Sequence, residues 1–177
     1  MKYVKNILVF IGAGAVVFVV IAMISAFYYA TGDRTADHTI VDKKDVRFVL
    51  NWSRLGEDRI KSVKHSYISK RSLTGDHIDA YAIEITGLSI DELESQEGIK
   101  WTRGDKVDGV FKEAIELASG FTNLDKLAWF PSREQLLSDK IYMNSWATML
   151  HGEQVTSAQL IFAAPSKNMV YYVSVSI

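Results

Sequence analysis

KIYMNSWATMLHGEQVTSAQLIFAAPSKNMVYYVSVSI, residues 140–177, decides the fold. Three extended runs, 140–150, 155–164 and 169–177, are separated by His151-Gly-Glu-Gln154 and by Pro165-Ser-Lys-Asn168, short polar segments suited to reversing a chain. In the last run Met169, Tyr171, Val173, Val175 and Ile177 fall on one side and Tyr172, Ser174 and Ser176 on the other. A period of two is that of a strand with one apolar face. The reading is a three-stranded antiparallel meander, one face covering a helix and the other solvated.

Helical signals precede the meander. Ser89-Ile-Asp-Glu92 has capping-box spacing, which predicts a short helix from Ile90 to about Ser95. Val107, Val110, Phe111, Ala114, Ile115 and Ala118 recur every three or four residues, with Gly120 placed to stop the helix. Ser132 and Gln135 repeat the start signal for a last short turn over 132–139.

Further toward the amino terminus, Val46, Phe48, Leu50 and Trp52 alternate with polar residues and predict a strand. Residues 59–69 and 78–86 predict two more, with Thr74, Gly75 and Asp76 in the turn between them.

At the head of the chain stands ILVFIGAGAVVFVVIAMISAFYYA, residues 7–30, without a charge. At about 1.5 Å of rise per residue such a run crosses a hydrocarbon core of about 30 Å as a helix. A cleaved signal peptide fits less well, because its apolar stretch is shorter and Tyr28 stands where a small residue is required. Phe27, Tyr28 and Tyr29 close the run as an aromatic belt. Lys2 and Lys5 beside the helix favour an amino terminus kept in the cytoplasm, although Arg34, Lys43 and Lys44 follow on the other side. The small residues Gly12 and Gly14, with Ala22 and Ala26, offer a weak dimerisation face.

The organisation expected is therefore a tail over 1–6, a transmembrane helix over 7–30, a polar stalk over 31–45 and one soluble domain over 46–177. The fold class is α+β: a single N-terminal transmembrane helix, then a domain of two antiparallel strand groups flanking a helical segment. The expected location is a bacterial inner membrane, crossed once, with the domain in the periplasm.

Twenty basic residues stand against 21 acidic ones, for a formal charge of −1, and nothing suggests nucleic-acid binding. No cysteine is present, which removes disulfides, thiolate metal sites, cysteine nucleophiles and lipidation as a lipoprotein. No serine-hydrolase elbow, zinc-protease motif or phosphate loop occurs in the sequence. Asp76, His77 and Asp79 form the densest titratable group, read first as turn residues and second as a base or ligand set. No metal or cofactor is expected.

Lys61, Lys64, Lys70 and Arg71 lie in a stretch free of acidic residues and are candidates for a membrane surface. The plainer reading is a solvated face balanced by Asp91, Glu92, Glu94 and Glu97. Trp101, Trp129 and Phe130 fall in connections and are candidates for binding a protein partner; Trp52 and Trp146, on expected strands, read as core. These features favour a membrane-tethered, non-enzymatic binding module, such as an accessory subunit of an envelope complex or an immunity-type inhibitor. The alternative is a membrane-anchored enzyme with a dispersed site near Asp76, His77 and Asp79.

Overall fold

The computed structural model describes residues 14, 16–25, 41–69, 71–72, 75–121 and 127–177, with the side chain of Phe121 set aside. The chain divides into two units, Met1–Thr35 and Ala36–Ile177. In the first, residues 14 and 16–25 are helical, and Val16, Phe18, Val20, Met23 and Ile24 all present their side chains outward. The remainder of run 7–30, including the aromatic belt, lies outside the described residues. Among the described residues no helix is long and apolar enough to cross a membrane.

The second unit is α+β, and it begins with a helix where alternation had predicted a strand. A 3-10 turn over Lys43–Val46 leads into α1, Arg47–Trp52. Val46, Phe48, Leu50 and Trp52 satisfy a period of two, but Val46, Val49, Leu50 and Ser53 satisfy the helical one, and these last four are fully buried. The start signal decides between the two periods. Asp42 and Asp45 form a reciprocal capping box, with Asp45 accepting from the Asp42 amide at 2.9 Å. Residues 41–45, expected in the stalk, thus belong to the folded unit, and Val41 packs on its core.

Six strands form one antiparallel sheet: β1 Ile60–Ile68, β2 His77–Ile85, β3 Thr102–Arg103, β4 Tyr142–His151, β5 Gln154–Ala164 and β6 Met169–Ser176. Their order is β1-β2-β6-β5-β4-β3. The two strand groups expected from the sequence are joined edge to edge, because β2 pairs along its whole length with β6, from His77 opposite Ser176 to Glu84 opposite Met169. The helical segment between them in sequence is divided between the two faces of the sheet.

Both faces are covered. On one, α3 (Gly109–Phe121) and α4 (Arg133–Leu136) pack Ala114, Ile115, Ala118 and Leu136 against Ala80, Ala82, Leu160, Phe162 and Val173. On the other, α1 and α2 (Ile90–Ser95) bring Val46, Val49, Leu50 and Leu93 onto Tyr81, Ile83, Ile161, Val170 and Tyr172. The expectation of a solvated face on β6 fails for this reason: Tyr172 and Ser174 lie beneath the amino-terminal helical layer and are buried. Both predicted capping serines act as expected, Ser89 Oγ accepting from the Glu92 amide and Ser132 Oγ from that of Gln135. Helix α3 runs through Gly120 to Phe121.

Candidate functional site

Strand β4 is covered on its outer side only at its beginning. The two-residue β3 pairs Thr102 with Met143 and Arg103 with Tyr142. The chain before Thr102 then leaves this lane, and the Lys100 carbonyl accepts from the Asn144 side-chain amide at 3.2 Å. Among the described residues no strand pairs with the outer side of β4 beyond this point. Within the open stretch Ser145 faces Leu160 and Ala147 faces Gln159, so Trp146 is the extra residue of a β-bulge. A bulge re-aims a side chain. Here it turns the Trp146 ring outward with 49% of the residue exposed, and the Ser145 and Thr148 hydroxyls are bonded at 2.9 Å across the irregularity.

Trp146 stacks on Trp52 of α1, ring centres 4.8 Å apart and planes within 3° of parallel. Trp52 meets Phe48 edge-on at 4.6 Å, and Phe48 meets Tyr172 edge-on at 5.2 Å. Tyr172 stacks in turn on Tyr81 at 5.8 Å. This aromatic column runs from the middle of the sheet to its surface, and it holds the exposed indole on a rigid support. Burial pushes the hydroxyls of Tyr81 and Tyr172 up to about 12, with the nearby Asp79 charge acting in the same direction.

The two tryptophans open onto a groove of about 490 Å³ whose apolar wall also includes Ile99, Phe111 and Met143. Phe111 belongs to the helical stripe that predicted a core face, but α3 carries its first turn beyond the sheet and leaves this ring exposed. Two cations, Arg54 and Lys100, line the groove, and no carboxylate does. Neither forms an ion pair with a described residue. Arg54 is held at both ends: its main-chain carbonyl accepts from Gln96 Nε2 at 2.7 Å, and its guanidinium Nη1 donates to the Glu97 carbonyl at 3.2 Å. Gly98 beside it has φ +75°, a backbone conformation that favours glycine.

Of the aromatic candidates read from the sequence, Trp101 is 8% exposed and Phe130 6%, each packed in a core cluster. Trp101 Nε1 donates to Gln96 Oε1 at 2.8 Å, so this ring positions the residue that holds Arg54. Trp129 is half-buried and stacks on His65 of β1 at 5.2 Å. The structure brings none of the three to the groove. Of the two read as core, Trp52 is partly buried against the core, and Trp146 beside it is the exposed one. The signal that would have shown it is a bulge, which depends on the register of β5 and not on local sequence.

The basic candidates are paired. In β1, Lys61 and Lys64 are each the extra residue of a bulge, and both reach Glu84, at 2.7 and 2.6 Å. With the Ser62 hydroxyl, these contacts hold the Glu84 carboxyl down at about 2. Arg71 makes a two-pronged pair with Asp79, at 2.8 and 2.6 Å. Lys70 lies outside the described residues. The expected balance by the 91–97 acids holds in one case, Arg59 with Glu92.

The titratable group is split the same way. Asp79 is engaged by Arg71, whereas His77 places Nδ1 2.9 Å from the Gly75 carbonyl and Nε2 3.2 Å from Ser174 Oγ. Donation from Nδ1 to the carbonyl leaves Nε2 to accept from the serine. Ser174 is 6% exposed and also bonds the Tyr172 side chain. Asp76 caps the turn at Ser72, its amide donating to Ser72 Oγ at 2.8 Å. Among the described residues no three His, Asp or Glu side chains gather as a metal site. No family model, curated protein or solved structure matches the chain.

Proposed function

We propose that this chain is a membrane-tethered, non-enzymatic binding module that meets a protein partner along the outer edge of β4. The observation that carries this reading is Trp146, exposed on a bulged edge that no described strand pairs, and stacked on a rigid aromatic support. Large rings fixed in advance lose little freedom on binding and are enriched among the residues that dominate interface energies. The tether is supported by the uncharged run 7–30 and by the outward-facing apolar side chains at Val16–Val20, Ile21, Met23 and Ile24. A helix apolar on all sides is at rest in an apolar medium. The partner sites first suggested at Trp101 and Phe130 give way to Trp146, because both of those rings are committed to the core. The lysines of β1 have the weaker claim to a binding surface, because both are tied to the one Glu84 carboxylate of their own sheet. An envelope-complex subunit and an immunity-type inhibitor in the periplasm both fit this reading.

The enzymatic alternative rests on the Ser174 and His77 contact. It is the weaker reading, since the serine is buried and its hydroxyl is shared between the His77 and Tyr172 side chains.

A photo-crosslinking residue placed at Trp146 of the full chain, in the cell that makes it, tests the proposal. One discrete protein adduct is expected there and none from the same residue at Lys61. No adduct at Trp146, or equal adducts at both positions, overturns it. A reporter fused after Ile177 that is active only outside the cytoplasm checks the side of the membrane.

A further inference from the structure

Resting on the binding-module reading, we infer that the occupant of the β4 edge is an extended, acidic segment of the partner, added to the sheet as a further strand. The first argument is the shape of the vacancy. Beyond Met143 the outer backbone of β4 has no described strand beside it, and the chain that would have filled that lane departs at Lys100. An extended segment satisfies a row of main-chain donors and acceptors, and its alternate side chains fall into whatever lies beside the edge. What lies beside this edge is the groove, with the Trp52 and Trp146 rings, Ile99, Phe111 and Met143 ready for an apolar side chain.

The second argument is charge. Arg54 and Lys100 face the groove without a carboxylate among its lining residues, in a chain whose formal charge is −1. A cationic pair in an acidic protein is a local feature, and it favours carboxylates on the incoming strand. Asn51, also at the groove, donates its side-chain amide to Glu57 Oε2 at 3.3 Å.

The same argument weighs against a second copy of this chain. Its own free edge is Asn-Ser-Trp-Ala-Thr-Met-Leu-His over residues 144–151, which holds no acidic side chain to answer Arg54 and Lys100. Edge-to-edge self-pairing would set two such cation pairs near each other with nothing to neutralise them.

The test uses the full chain in lipid nanodiscs and a capped peptide of alternating glutamate and leucine, followed by tryptophan fluorescence and amide exchange. Binding is expected, with new protection at the amides of residues 145–150. Exchanging glutamate for lysine in the peptide, or N-methylating the amides on one edge, should each weaken binding about ten-fold. The double variant Arg54→Glu, Lys100→Glu should reverse the preference between the two peptides. Trp146→Ala, at a half-exposed position that folding tolerates, should weaken both. Equal affinity for the two peptides, indifference to N-methylation, or no binding at all overturns the inference. A discrete adduct at Trp146 in that event leaves the binding-module reading standing. Sedimentation showing a dimer that Met149→Lys dissolves would assign the edge to a second copy instead.

Discussion

Two long strands flank the sheet, β1 at one end and β4 just inside the two-residue β3 at the other; both are bulged, and in each the extra residue sets what the exposed side can do. In β1 the extra residues are Lys61 and Lys64, and cross-strand pairing to Glu84 binds them to their own sheet. Charged, bulged edges repel further strands. In β4 the extra residue is Trp146, supported by an aromatic column and followed by the exposed Met149 and Leu150. The same backbone irregularity closes one edge and presents the other. A free edge is therefore not a property of strand position alone; the residue placed at the bulge decides whether it is guarded or offered.

The largest effect should come from breaking the cap that limits the open edge. Gly104 donates to the Ile141 carbonyl at 2.7 Å, and a Cβ there would lie 2.5 Å from the Ser138 carbonyl oxygen and closer still to that of Leu136. Backbone cannot yield as a side-chain tip does, so Gly104→Ala should cost about 3 kcal/mol, or roughly 10 °C in thermal midpoint. An unchanged melting curve would show that β3 is not a fixed cap.

Next in size is the presented edge itself. Trp146→Lys copies the β1 device onto β4 and should weaken partner binding at least about ten-fold while shifting stability by under about 1 kcal/mol. Affinity that survives the change would remove Trp146 from the interface. The reverse exchange, Lys61→Val with Lys64→Val, should make β1 self-associate, readable by sedimentation. A variant that stays at the original size would mean that the bulges, not the charges, guard that edge.

Acid and alkali should separate the two edges. Glu84 is held at about 2, below its ordinary 4.5, so the stability it lends to β1 is present above pH 4.5 and is lost as pH falls toward 2. Tyr81 and Tyr172 are raised from 10 to about 12, so the stability of the column under Trp52 is present below pH 10 and is lost as pH rises toward 12. Amide exchange should accordingly open β1 first in acid and the β6 and α1 region first in alkali. Glu84→Gln should abolish the acid difference; a variant with the parent's acid response would locate that response elsewhere. The smallest effect is that of Lys64→Ala alone, under about 0.5 kcal/mol, since half-exposed pairs contribute little.

Much of the fold was legible in short stretches. The spans of β1, β2, β5 and β6, the cap at Ser89 and the stripe of α3 all follow from side-chain period and capping chemistry, which act over a few residues. The misreading of 46–53 arose because that segment satisfies two periods at once, and the cap that separates them lies upstream at Asp42 and Asp45. The site was hardly legible. Trp101 and Phe130 were singled out because they lie in connections, yet connections here fold back over the core. Trp146 does lie in a strand, but its bulge turns the ring outward, and Trp52 ends a helix with its ring only partly covered by the core.

By itself the sequence determined most of the extended segments, the helix starts capped by Ser89 and Ser132, that no cysteine chemistry is available, and that the first thirty residues hold an uncharged apolar run. Those are local properties. Tertiary structure alone decided that β2 joins β6, that both faces of β6 are buried, that Glu84 gathers the β1 lysines, and that no described strand covers β4 beside Trp52. Each of these depends on pairing between residues tens of positions apart, whose register no periodicity within a strand can specify.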